Sequence, residues 1–221
     1  IGTVSPKIDI PVLWLRSVGH THTAYAMETM IDELAKAAGK DPVEYRRLLL
    51  KGKSRNLGVI NLVAEKAGWG KPLPAGHFHG IAAHESFRSY CAQVAEISID
   101  ENGLVKVHKI TCAIDCGLAV NPDGVRAQIE SGIIYALSGN LYEKITFKEG
   151  KVEQGNFNNY RILRINEAPE IEVHIVDSTE QMGGVGEPGY PPAAPAVANA
   201  VFAATGKRIS SLPFGEVNFK V

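Results

Sequence analysis

The sequence is short of the features that would assign it quickly to a class. Its three cysteines, Cys91, Cys112 and Cys116, are too few and odd in number for a disulfide framework. Cys112 and Cys116 lie four apart without the further ligands that a zinc site needs, so buried free thiols are expected. Neither sign of charge dominates: 23 Lys and Arg against 24 Asp and Glu leave a formal net charge of −1. That balance exerts no pull toward nucleic acid or an anionic membrane surface. No apolar run approaches the length of a membrane-spanning helix. The opening IGTVSPKIDIPVLWLRS has neither the charged head nor the unbroken apolar stretch of a signal peptide. With no initiator Met, a fragment or processed product is expected, and the compartment stays open between cytoplasm and periplasm. Internal repeats and low-complexity tracts are missing as well.

What is present is an ordinary folding composition, 45% hydrophobic and 21% charged over 221 residues. The segment IPVLWLRSV reads as a short strand. Ala24, Met27, Ile31, Leu34 and Ala38 recur at helical spacing and predict a helix over 21–38 that buries this face, closed by Gly39. Asp41-Pro42-Val43-Glu44 starts a second helix, with Asp41 as cap, Pro42 in the first turn and Glu44 completing a capping box. A third helix is predicted over 57–66, after a polar connector, KGKSRN. Residues 68–80, rich in glycine and proline, read as an exposed loop and a sub-domain boundary. Ala95, Ile97 and Ile99 alternate as a strand, turn at residues 100–103, and return over 104–113. Asn121-Pro122-Asp123 opens a helix that buries Val125, Ile129, Ile133 and Ala136; Gly132 and Gly139 within it imply a close neighbour. A second hairpin is expected at 148–151, a strand at Ile171, Val173 and Ile175, and a last helix over 193–205 capped by Gly206. The pattern is α+β: mixed sheets with hairpins and packed helices, divided into a helical sub-domain with a leading strand (1–70) and an α+β portion (71–221).

The most informative stretch is GGVGEPGYPPAAPAVANAVFAATG, residues 183–206. It sets one acid, Glu187, in a glycine-rich turn and follows it with a small-residue apolar helix that would pin the turn to a core. A carboxylate held in partly dry surroundings accepts a proton more readily than in water, which suits a general base. Gly184, Gly186 and Gly189 also satisfy G-x-G-x-x-G. The dinucleotide fingerprint, however, needs a helix opening at the glycines and an acid about 20 residues on. Pro188, Pro191 and Pro192 obstruct such a helix, and no Asp or Glu follows between 188 and 215.

Three ordered stretches carry a resemblance. GVGEPGYPPAAPAVANAVFAATG, IDCGLAVNPDGVRAQIESG (114–132) and LRSVGHTHTAYAMETMIDELA (15–35) together resemble the molybdenum-binding subunit of the xanthine oxidase and aldehyde oxidase family, of the isoquinoline 1-oxidoreductase beta-subunit type. The resemblance covers nearly the whole chain as a C-terminal fragment of a longer subunit. It implies a molybdenum cofactor-binding fold and an oxidative hydroxylation of an N-heterocycle or aldehyde, with water as the oxygen source. It implies Glu187 as the general base. It further implies Gln128 as a hydrogen-bonding partner of the pterin, Arg16 beside the pyranopterin, and Gly184, Val185 and Gly186 as backbone approaching the cofactor. The cofactor implied is molybdopterin in its cytosine dinucleotide form. Electrons would leave through iron–sulfur clusters on a partner subunit, since three scattered cysteines cannot ligate a cluster here. Some family members have a Phe where this sequence has Val18, which leaves smaller heterocycles or aldehydes open as substrates. The alternative is a non-catalytic pterin-binding or assembly scaffold module.

Other constellations weigh less. His77, His79 and His84 could form a zinc site only if the loop made them converge; solvated loop histidines are the expectation, as for His20 and His22. Ser86 beside His84 lacks the glycines of a nucleophile elbow. Arg161 and Arg164 read as a charged strand face.

Overall fold

A computed structural model of the chain describes residues 14–220 together with Lys7 and Asp9. The element order is α1 (His20–Ala37), α2 (Pro42–Leu49), α3 (Ser54–Lys66), β1 (His77–Ser86), β2 (Ser89–Ile99), β3 (Val105–Asp115), α4 (Pro122–Leu141), β4 (Phe147–Lys148), β5 (Lys151–Val152), β6 (Glu170–Ile175) and α5 (Ala193–Thr205). β1, β2 and β3 form an antiparallel meander, and β6 returns parallel to β3, giving the order β1-β2-β3-β6. β4 and β5 make a separate small hairpin. The architecture is α+β, as the element pattern predicts.

Helices cover both faces of the sheet, so its strands send apolar residues both ways. Cys91, Ala95, Ile110, Cys112 and Ile114 pack against Ile129, Ile133 and Leu137 of α4 and Val197, Ala200 and Val201 of α5. Ile81, Ala92, Val94 and Ala113 face Val43 of α2 and Val59, Ile60 and Val63 of α3. All three cysteines are buried free thiols. α5 lies so close to β1 that a Cβ on Gly80 would collide with the backbone of Ala196 and Ala200. Small residues in α5 and a glycine in the strand together permit that approach.

Several local expectations are met. Asp41 Oδ1 accepts the N–H of Val43 at 2.9 Å and of Glu44 at 3.1 Å. Asn121 Oδ1 accepts that of Gly124 at 3.0 Å. Gly206 closes α5 in the left-handed region at φ 70°. The neighbour implied by Gly132 is the glycine-rich turn itself: a Cβ there would stand 3.2 Å from Gly189.

Other expectations are corrected. Glu44 forms no capping box; it pairs with Arg47. α3 starts at Ser54, inside the stretch expected to be a connector. Residues 10–13 lie outside the described residues, and residues 16–19 form a turn, not a strand. Residues 161–164 are not a strand either; Arg161 pairs with Glu167 at 2.6 Å and stacks over Tyr142. The loop over 68–80 ends early, because β1 begins at His77. His77 and His79 therefore sit on a strand, paired with Glu96 on β2 at 2.6 and 3.7 Å. His84, at an even position, points to the opposite face of the strand, so the three histidines do not converge.

The buried face of α1 is also different from the one its apolar residues predict. Met27, Met30 and Leu34 are exposed, while Glu28, Asp32 and Ala35 are buried. The cause is the edge of β1. Glu28 Oε2 accepts the Ala83 N–H at 2.9 Å, and Asn199 Nδ2 donates to Ile81 O at 2.9 Å. Arg46, 1% exposed, then holds Glu28 at 2.9 Å and Asp32 at 3.3 Å. Burial pushes the Asp32 carboxyl upward despite Arg46 and Arg208.

Candidate active site

The turn over residues 183–190 is held from several sides, beginning with Cys116 O just after β3, which accepts the Gly183 N–H at 2.9 Å. From the β1–β2 hairpin, Phe87 O accepts the Gly184 N–H at 2.8 Å and Ser89 Oγ donates to Gly184 O at 2.7 Å. From the turn before α1, Arg16 Nε donates to Gly186 O at 2.7 Å with its Nη2 on the same oxygen, and Ser17 Oγ donates to Glu187 O at 2.7 Å. From β2, Gln93 Nε2 donates to Gly189 O at 2.8 Å. The side of Gly183 faces the hairpin, where a Cβ would collide with Ser89 Oγ and Arg88 O.

Arg16 joins these parts to α4. Its Nη1 donates to Ser131 Oγ at 2.9 Å, and its Nη2 reaches the carbonyl and the side-chain Oε1 of Gln128, each at 3.2 Å. Arg16, Gln128 and Gly186, three positions far apart in sequence, thus meet at one guanidinium. With Gln128 Oε1 turned to Arg16, the amide nitrogen of this exposed side chain donates to no partner among the described residues.

Glu187 stands half-buried at the end of the turn, with Oε2 buried and without a hydrogen-bond partner. Among the described residues it joins no ion pair, and the N–H groups of Val185, Gly186 and Glu187 donate to no acceptor. A carboxylate oxygen and three consecutive backbone donors are therefore unspent in one short segment. A buried polar atom left unpaired is costly unless another group satisfies it. An open groove of about 370 Å³ reaches this segment at Val185, lined also by Asn121, Gln128, Met182 and Gly183; neither Gly186 nor Glu187 lines it. A hollow of about 650 Å³ between β3 and residues 161–169 includes none of the predicted site residues.

Backbone strain gathers here. Ser17 and Val18 have φ of 71° and 49°, and Phe87 and Arg88 of 53° and 63°. Left-handed backbone costs a non-glycine residue of order 1 kcal/mol and persists where tertiary contacts over-determine it. A contact that no sequence pattern announces links these two strained segments: His20 Nδ1 lies 2.9 Å from His84 Nε2. The H-x-H spacing of His20 and His22 suggests a different pairing, and no local pattern connects residues 64 apart.

Comparison with known proteins gives this geometry its setting. The pattern that defines the molybdopterin cofactor-binding domain matches residues 18–169, so the chain belongs to that family. It is 31% identical over 217 residues to the beta chain of the isoquinoline 1-oxidoreductase of Brevundimonas diminuta, covering 96% of this chain and 28% of that one. It is 35% identical over 219 residues to a nicotinate dehydrogenase subunit of Pseudomonas putida, covering 90% of this chain and 18% of that one. A membrane-bound aldehyde dehydrogenase (pyrroloquinoline-quinone) of Gluconacetobacter polyoxogenes is 34% identical over 220 residues, 90% of this chain and 28% of its own. The chain thus spans less than a third of the length of these relatives. The aldehyde oxidoreductase of Desulfovibrio gigas shares the fold, with a TM-score of 0.66 at 14% identity over 90% of this chain and 40% of that one.

Proposed function

We propose that this chain is the cofactor-binding part of a molybdenum hydroxylase subunit that acts on an N-heterocycle or an aldehyde, with Glu187 as general base. The observation that carries the reading is the unpartnered Glu187 Oε2 beside three unspent N–H groups, in a chain whose family binds molybdopterin. The residues present fit such a group. The amide nitrogen of Gln128 offers donors to the edge of a pterin. The backbone of Val185 and Gly186 offers its free N–H groups to a close ligand, while Gly184, its own N–H spent on Phe87 O, anchors the segment. Arg16 keeps that backbone in place while spending its own donors on Gly186, Gln128 and Ser131.

Bound there, the cofactor supplies the two-electron redox chemistry that puts an oxygen from water onto an electron-poor carbon. Glu187 accepts the proton that the attacking oxygen gives up, through the buried Oε2 that solvent does not reach. Val18, half-exposed next to Ser17, stands where some family members have a Phe, which favours small heterocycles or aldehydes. Electrons leave to iron–sulfur centres on a partner subunit, and the pterin carries a cytosine dinucleotide.

The decisive experiment is Glu187→Gln in the complete enzyme. Turnover is expected to fall by several orders of magnitude, with molybdenum content unchanged. Undiminished turnover would reject the assignment, and a complete enzyme that binds pterin but never turns over would favour a scaffold.

A further inference from the structure

The two strained segments that grip the turn also grip each other. The β1–β2 hairpin holds Gly184 at both its N–H and its carbonyl. Residues 16 and 17 hold the carbonyls of Gly186 and Glu187. His20 belongs to the second clamp, since its N–H donates to Ser17 O at 3.0 Å. His84 belongs to the first, two residues before Ser86 on β1. Their rings meet edge-on with centroids 5.1 Å apart and share one N–H between Nδ1 and Nε2 at 2.9 Å. The His20 ring also lies 5.2 Å from the Phe87 ring at the hairpin tip.

We infer that the His20–His84 hydrogen bond is a positioning clasp: it sets the distance between the two clamps and so fixes the turn that aims Glu187. Neither imidazole is hydrogen-bonded to Glu187; both act through the backbone they anchor. The proton arithmetic makes the clasp tolerant. With the pair neutral, one ring donates and the other accepts; with one extra proton, the charged ring still donates to the neutral one. Only a second proton sets two N–H groups against each other and opens it. The charged groups that share the hollow beside His84 are Glu28 of α1, Arg46 of α2 and Glu85 of β1, while α5, packed on β1, carries no titratable side chain. Burial and the neighbouring His20 hold His84 down to about 4, so the clasp stays closed through neutral pH.

The test is amide hydrogen exchange, read by mass spectrometry on the complete enzyme as isolated, for His84→Leu and His84→Gln. Leucine fills the space without a hydrogen bond; glutamine restores one. Exchange of peptides over residues 183–190 is expected to rise about tenfold in His84→Leu, the size of one lost hydrogen bond, and to stay within about twofold in His84→Gln. Peptides from α3 and β3 should not change. Equal exchange over 183–190 in all three proteins, or a rise spread evenly through the core, overturns the clasp. Should His84→Leu fail to fold, His20→Leu decides in its place: exchange over 183–190 should rise about tenfold, and exchange equal to the wild type overturns the proposal. A kinetic arm rests on the proposed role of Glu187: His84→Leu should lower kcat about tenfold at constant KM, with rescue by His84→Gln. If Glu187→Gln leaves turnover intact while the exchange results hold, the base assignment falls and the clasp stands.

Discussion

Arg16 and Gly186, 170 positions apart, are joined by two guanidinium N–H groups on one carbonyl oxygen. No single-point cation can reproduce that fork. Arg16→Lys should therefore weaken the turn although the charge is kept. The expected outcome in the complete enzyme is a loss of bound pterin and a fall in turnover of about 10- to 100-fold, checked by molybdenum content and rate. Full occupancy and rate in Arg16→Lys would show that the fork is dispensable.

Gly183→Ala places a methyl against Ser89 Oγ and Arg88 O, and Gly80→Ala places one against the backbone of α5. Neither obstacle is the end of a flexible side chain alone. Each variant should lose about 2–4 kcal/mol of stability by thermal or denaturant unfolding. Gly150→Ala, with open space around its Cβ position but a φ of 75°, should lose only about 1 kcal/mol.

Arg46→Met removes the cation between Glu28 and Asp32 and leaves two buried carboxyls facing each other. A loss of about 3–5 kcal/mol is expected, because Glu28 stays buried with only the Ala83 N–H and Asp32 with only Arg208 at 3.4 Å among the described residues. Adding Glu28→Gln and Asp32→Asn to it should recover part of that loss, and a double-mutant cycle measures how much.

His84 sets a pH dependence with a definite sign. Its folded pKa, about 4, lies below the unfolded value of 6.5, so the unfolded chain binds more protons between these limits. Stability is whole above pH 6.5, declines as the pH falls toward about 4, and flattens below. The full gap corresponds to roughly 3 kcal/mol, and partial exposure of the ring reduces this to about 1–2 kcal/mol. His84→Gln should flatten the unfolding midpoint across that window; an unchanged slope would exclude His84 as its source.

The legible parts of the chain are those where one local rule decides the outcome. Asp41 and Asn121 cap because a short acceptor precedes a proline-led first turn, and α4 buries Ile129 and Ile133 because nothing competes with its apolar stripe. α1 departs from its apolar pattern for a physical reason: its inward side is chosen by the unpaired edge of β1 and by Arg46, so carboxyls go in and Met27 and Leu34 stay out. β1 itself, HFHGIAAHES, carries little β-branched character and owes its form to pairing with β2 and to α5 over Gly80. At the candidate site, the motifs pick out the residues Arg16, Gln128 and Glu187. They cannot disclose that Arg16 touches both Gly186 and Gln128, nor that His20 meets His84, because those contacts depend on how distant segments are brought together.

The seal on β1 has a consequence for assembly. The outward N–H of Ala83 and carbonyl of Ile81 are consumed by Glu28 and Asn199, so a strand offered by another polypeptide meets these two places on that margin already taken.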